Sequence, residues 1–498
     1  MRHILLLSFF SLSLIAQNSW LGVNLEGLSD WSSASVFSDA MRTSRSWGKP
    51  RQPWVHEVKT DEYGWPLEDA GVIVMVDRPN ISGDYKLAFD GPAHVEILHR
   101  QGEILDLQVD GKGHGTAIVR LKPDANQLML SFTKTQGGVR NVTLIRPGCD
   151  PAKRFTNEFL AVLEPFGILR FMDFMATNSQ NTFPKPPWYD ATPLEWKDRA
   201  KVANASQTGK RGAAYEFVAE LANETKKDAW ICVPIHASPD YIRKMAELFR
   251  DRLDSKLNLY VELSNEVWNW GFAAAQYNLH HIAKNTPKYH GSYIICHADR
   301  TRQMADIFAD VFGRDTLNKR VRIVLCWQFG WNPPDAQPRE MFQFYKQEGH
   351  DPAKWLYALG IAPYFSEPKP EDCTSVAAIH DHFRKSSDAS VANKRKLIAL
   401  AKEFGLQGGV VCYEGGPHHQ GQVETNLETR FAAHRDPGIE AIIKRDLLDN
   451  WRAIGGGAYC YFSLSGRYSK WGCWGAVESL NNLNTPKYKA LLEVAKTK

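Results

Sequence analysis

The stretch Leu257-Asn258-Leu259-Tyr260-Val261-Glu262-Leu263-Ser264-Asn265-Glu266-Val267-Trp268-Asn269 changes character halfway along. Up to Leu263 it is a short apolar run, as expected of a strand buried on both faces. Beyond Leu263 it turns polar and places a carboxylic acid where the strand ends. Glu262 shares strand parity with Ser264 and Glu266, so it points the same way. Inside a barrel such a carboxylate needs a partner to stay charged, and Glu262 reads as structural.

Seven similar runs occupy residues 20–25, 168–174, 230–235, 321–327, 359–365, 409–413 and 458–464. Helical stretches separate many of them. Ser238-Pro239-Asp240 is a helix start, with an N-cap serine, proline at the first helical position and an acid in the first turn. Ile242, Met245, Leu248, Phe249 and Leu253 follow at helical spacing. Residues 302–312, 393–404, 438–454 and 486–495 behave similarly. Eight strands alternating with helices predict an α/β fold, a (β/α)8 TIM barrel. A doubly wound open sheet is the alternative, but no glycine-rich phosphate loop follows the first run.

One connection is far too long for a barrel. Between the first and second runs, residues 71–145 alternate apolar and polar positions with turn breaks, as in Tyr85-Lys86-Leu87-Ala88-Phe89. This predicts a small antiparallel β-domain, sandwich-like, inserted after the first barrel strand. A helix over 157–164 returns the chain to the barrel. The resulting division is 1–16 signal peptide, 17–55 first part of the barrel, 66–147 inserted β-domain, and 155–498 the rest of the catalytic barrel. No exposed aromatic row is legible in the insert, which favours a structural role for it.

Lys plus Arg number 60 and Asp plus Glu 56, a net charge of +4. So even a balance makes no electrostatic case for nucleic acid or an anionic membrane as partner. Arg2 and His3 followed by an apolar and serine run to Ile15, with Ala16 before the cut, read as a secretory signal. The run is too short to span a bilayer, so a secreted or periplasmic location is expected. The eight cysteines show no CxxC spacing. Cys232, Cys326, Cys412 and Cys460 fall in apolar runs and read as packed thiols, while Cys149, Cys296, Cys373 and Cys473 are free to pair. Asn80, Asn141, Asn204 and Asn223 each stand in N-x-S/T, which matters only in a host that glycosylates.

In a (β/α)8 barrel the chemistry sits at the C-terminal ends of the strands. Two acids stand there: Glu266 after the fourth run and Glu414 after the seventh, in Tyr413-Glu414-Gly415-Gly416. Two carboxyl groups facing one another across a cleft are what glycosidic bond cleavage requires. One is protonated and donates to the leaving oxygen; the other is ionised. Arg170, His236 and Tyr364 end the second, third and sixth runs. Trp268, Trp270, Trp327 and Trp331 lie near the rim, and at least one is expected to be a sugar platform. His280-His281 and His418-His419 lack partners at metal-ligand spacing, and no His-Glu-x-x-His occurs. Neither a metal nor a cofactor is expected.

Ser264-Asn265-Glu266 at the fourth strand end, with Glu414 at the seventh, resembles clan A of the glycoside hydrolases over about residues 20–50 and 155–498. That resemblance implies a retaining enzyme on a (β/α)8 barrel. It implies Glu266 as general acid/base and Glu414 as nucleophile. Asn265 would hydrogen-bond the sugar 2-hydroxyl, and Arg170 would hold the nucleophile ionised. Tyr364 would hydrogen-bond the nucleophile and His236 contact substrate. Two departures stand out. The sixth strand reads Ala362-Pro363-Tyr364 where many members show His-x-Tyr. The eighth lacks a tryptophan platform, a place for Phe462, Trp471 or Trp474. The implied activity is double-displacement hydrolysis of a β-linked poly- or oligosaccharide, with carboxyl groups about 5–5.5 Å apart. The rival readings are a non-catalytic carbohydrate-binding protein on a degenerate barrel, and a carboxylate-based lyase that yields an unsaturated product.

Overall fold

The computed structural model describes residues 20–180, 191–419 and 421–497; the leader-like residues 1–16 lie outside them. Strand β1 (Leu21–Asn24) is followed by seven antiparallel strands: β2 (Ala70–Met75), β3 (Gly83–Asp90), β4 (His94–Ile97), β5 (Gly102–Val109), β6 (His114–Leu121), β7 (Leu128–Thr133) and β8 (Arg140–Ile145). They form two sheets, ordered β2-β7-β4 and β5-β6-β3-β8. Buried residues of both sheets, among them Val72, Phe89, Val119, Leu130 and Phe132, share one core. Ala40, Met41 and Trp47, which precede β2, and Ala205 of the barrel pack into that core too.

The chain then alternates. In order come α1 (Asn157–Val162), β9 (Ile168–Arg170), α2 (Tyr215–Thr225), β10 (Asp228–Val233), α3 (Pro239–Arg252), β11 (Leu259–Leu263), α4 (Ala273–Gln276), α5 (Tyr293–Phe312), β12 (Val321–Cys326), α6 (Ala336–Gln347), α7 (Pro352–Trp355) and β13 (Ala358–Ile361). After them come β14 (Phe365–Ser366), α8 (Val376–Glu403), β15 (Gly409–Gly415), β16 (Pro417–His418), α9 (Leu427–Arg435), α10 (Gly438–Lys444), β17 (Tyr459–Tyr461) and α11 (Pro486–Ala495). Eight strands close in the order β1-β17-β15-β13-β12-β11-β10-β9, every pair parallel. The chain is therefore a (β/α)8 barrel with an antiparallel β-domain inserted after its first strand.

Strand alternation divides the barrel residues between two cores. Ile168, Trp230, Tyr260, Val324, Val411, Tyr413 and Cys460 form an inner cluster. Leu169, Ile231, Val261, Ile323 and Leu359 join the helices outside. The inside is crowded: a Cβ on Gly22 of β1 would meet the Cys460 Sγ at 2.7 Å. Helix α3 starts as its sequence predicts, with the Ser238 hydroxyl accepting from the Tyr241 amide at 3.2 Å. Tyr241, Met245 and Phe249 are buried along one face of it.

Several boundaries differ from the sequence expectation. β13 ends before Pro363, which cannot donate to a strand ladder; β14 restarts at Phe365 and pairs with β16 on the rim. The helix expected over 438–454 ends at Lys444 and continues as a wider turn over Arg445–Asp449. All eight cysteines are free thiols, so the pairing left open for Cys149, Cys296, Cys373 and Cys473 does not occur. Among the described residues, no helix is long and apolar enough to cross a membrane.

Candidate active site

Arg170, at the end of β9, is the hub of the barrel's C-terminal mouth. Its guanidinium has no exposed surface. Nη2 donates to Glu262 at 2.9 Å and to the Asn265 Oδ1 at 2.8 Å. Nη1 donates to Glu414 at 2.7 Å and to the Asn24 Oδ1 at 2.9 Å. One planar fork thus binds residues from β1, β9, β11 and β15, a geometry that suits arginine and not lysine. Glu262 gains the partner its position demands: besides Arg170, it accepts from the Trp230 Nε1 at 2.9 Å. Asn24 in turn donates to the Tyr413 carbonyl at 2.9 Å, tying β1 to β15.

Glu414 reaches this hub through a backbone irregularity. Tyr413 belongs to the inner core and Cys412 to the outer, so strict alternation would turn Glu414 outward. The register between β15 and β17 shifts between Cys412 and Gly415. Such a bulge re-aims side chains, and Glu414 lies against Arg170. Its other oxygen accepts from the Tyr364 hydroxyl at 3.1 Å.

Glu266 is positioned differently. Beyond β11 the chain passes through left-handed conformations at Ser264 (φ 62°) and Glu266 (φ 42°). Non-glycine residues held there are strained by about 1–3 kcal/mol each and cluster at functional sites. The Asn269 Nδ2 donates to Glu266 at 2.8 Å and the Tyr413 hydroxyl at 3.4 Å. Burial, and then the Glu414 charge, push the Glu266 carboxyl up to about 7. Two carboxyl groups thus share one rim in unlike surroundings: Glu266 is buried and pushed up, while Glu414 is paired with a guanidinium.

The other expected residues divide. Asn265 is buried beside Arg170, with its amide donating to the Asn178 Oδ1 at 3.4 Å. Tyr364 joins Glu414 and packs against the rings of His418 and Phe462. Phe462 and Trp474 meet edge-on at 5.7 Å, in the place where the eighth strand lacks its own tryptophan. Trp268 is half-buried at the rim. His236 is buried, with its ring against Tyr277. Trp327 corrects an expectation. It is fully buried, stacks on Tyr293 and His297, and donates to the Gln337 Oε1 at 2.8 Å. No face of it is left for a sugar.

Four residues escaped the sequence reading. Asn24 is the first. Asp173, just past β9, is pushed up to about 7 by burial and by Glu414. Glu26, just past β1, is pushed up to about 8 by burial. Trp31 is 55% exposed. Glu26, Trp31 and Trp471 line a cavity of about 470 Å3. Gly27 is shared with an adjoining cavity of about 370 Å3 lined by Asp173 and Asn178. The available signal was position: the residues that follow the first and second runs occupy the same rim as Glu266.

Among the histidines the fold makes a grouping that local spacing does not. His418-His419 lack partners in the local sequence, yet His419 comes together with His434 and Cys473 in the folded chain.

No family model matches this chain, and no curated protein matches it. Solved structures similar to it include a GH51 arabinofuranosidase from Xanthomonas axonopodis pv. citri, with TM-score 0.39, 13% identity, 63% of this chain and 62% of that one. Another is the exo-beta-1,4-mannosidase Op5Man5 from Opitutaceae bacterium strain TAV5, with TM-score 0.34, 13% identity, 68% of this chain and 55% of that one. The chain thus spans less than two thirds of either. The barrel assignment rests on the strand pairing described above.

Proposed function

We propose that this chain is a retaining glycoside hydrolase of the clan A type, acting on a β-linked poly- or oligosaccharide. The observation that carries the proposal is the unlike setting of two rim acids. Glu414 accepts from the Arg170 guanidinium and the Tyr364 hydroxyl, while burial and the Glu414 charge push Glu266 up to about 7. In the first step Glu414 attacks the anomeric carbon as Glu266 protonates the departing oxygen. In the second, Glu266 takes a proton from water, which attacks the same carbon and frees Glu414. Asn265, which precedes Glu266 and shares the Arg170 guanidinium with Glu414, is suited to the sugar 2-hydroxyl. A secreted or periplasmic location belongs to the same proposal and rests on the leader-like residues 1–16.

The test is hydrolysis of a panel of β-glucans, mannans, xylans and galactans by wild type and Glu414→Gln. The first-formed anomer is followed by NMR. Wild type is expected to release sugar with retained configuration, and the variant to lose at least a thousandfold in rate. Release with inversion removes the nucleophile role from Glu414. No release, with glycan binding undiminished in the variant, turns the reading to a carbohydrate-binding protein. An unsaturated product absorbing in the ultraviolet identifies a lyase.

A further inference from the structure

A buried polar cluster lies beside the mouth of the barrel and takes no part in the chemistry proposed above. His419 follows β16, His434 stands in the last turn of α9, and Cys473 belongs to the loop after β17. They are 3%, 0% and 0% exposed. One donor atom from each lies within 4.8 Å of the other two. The Cys473 Sγ is 3.6 Å from the His419 Nδ1. Around a tetrahedral zinc with Zn–S about 2.3 Å and Zn–N about 2.0–2.1 Å, that edge would measure about 3.5 Å.

The second observation is His434. Both of its ring nitrogens are buried and neither has a hydrogen-bond partner among the described residues. Buried polar atoms in folded proteins are overwhelmingly paired. A buried imidazole with two unpaired nitrogens, beside another imidazole and a thiol, is a donor set suited to a ligand that binds nitrogen and sulfur. The surrounding rings of Phe383 and Tyr468 offer it none. A tetrahedral site requires the donor atoms to draw together by roughly 1 Å.

We propose that Cys473, His419 and His434 bind a zinc ion, which staples together the loop after β16, helix α9 and the loop after β17. Thiolate plus imidazole is a donor set that selects zinc over the hard cations. Glu367 Oε1 lies 3.6 Å from the same His419 nitrogen. Arg430 donates to that carboxylate at 2.5 and 2.8 Å, and Lys487 donates to the Cys473 carbonyl. Both orient the donor set from outside, as outer-shell partners do. His419 adjoins the β14–β16 pair, in which β14 follows Tyr364 directly and β16 begins three residues after Glu414. The staple braces the segments that follow both.

The test is metal analysis of the full chain loaded with Zn2+ alone and then desalted. Wild type is expected to retain one zinc per chain, and His434→Ala and Cys473→Ser at least tenfold less. Because either variant risks unfolding, wild type is also loaded with Co2+. A thiolate-to-cobalt charge-transfer band is expected, displaced by Zn2+. Wild type that retains no zinc and shows no band overturns the proposal. So does zinc retained equally by folded variants, which places the metal elsewhere. A thiol–imidazole hydrogen bond in a metal-free core predicts the first of these results. Neither readout depends on glycosidase activity.

Discussion

Glu266 and Glu414 are the same residue type on the same rim, and their surroundings make them different reagents. Glu414 faces a guanidinium and a phenol hydroxyl; Glu266 faces burial and the Glu414 charge. A general acid works only while protonated. With Glu266 raised to about 7, kcat/KM is expected to fall as pH rises through about 7. In Glu414→Gln the like charge is gone, so the Glu266 carboxyl is expected to titrate lower. A carboxyl carbon NMR titration measures this, and an unchanged midpoint would break the coupling argument. Asp173 also titrates near 7. Asp173→Asn is therefore the control: the basic limb is expected to survive in it.

At the scale of elements, strand ends and the loops beyond them decide what the barrel presents. A bulge in β15 turns Glu414 inward. Pro363 cuts β13 short and leaves Tyr364 free to reach Glu414. The loops after β1, β11, β12 and β17 expose Trp31, Trp270, Trp331 and Trp471 by 46–57%. Exposed indoles on a rim suit stacking against sugar faces. Trp31→Ala is expected to raise KM for a polymeric substrate about tenfold, equivalent to about 1.4 kcal/mol, with kcat little changed. A single-sugar aryl glycoside should be nearly indifferent. Equal KM for the two proteins on the polymer would remove Trp31 from the binding cleft.

At the scale of the molecule, two cores meet along the segment that follows β1. Trp47 and Met41 pack with the inserted sheets, while Phe37, close before them, packs with the barrel. Arg42 donates to the Val202 carbonyl at 2.7 Å, and the Trp65 indole to the Ala203 carbonyl at 3.2 Å. The insert is thus built into the barrel's flank. Deleting residues 66–147 with a short linker exposes the Trp47 and Met41 faces, and large apolar patches favour aggregation. The deletion is expected to give insoluble protein, or an unfolding temperature well below that of the full chain. A soluble deletion with unchanged unfolding would show the barrel to be independent of its insert.

The eight apolar runs, their helical spacers and the alternating insert made the architecture legible, because periodicity reports which face of each element is buried. Glu266, Glu414, Arg170 and Asn265 were legible for a related reason: a barrel brings strand ends to one rim, so position along the chain predicts place in the fold. What depended on contacts between distant segments was hidden. Alternation would have turned Glu414 outward, and only the mismatch of β15 with β17 brings it to Arg170. Trp327 looked like a rim residue until Tyr293 and His297 closed over it. Asn24 has meaning only beside the ends of β9, β15 and β17. The grouping of His419, His434 and Cys473 follows no local spacing at all. Local sequence sets the period and the ends of each element; which side chains then share a point in space is set by how those elements pack.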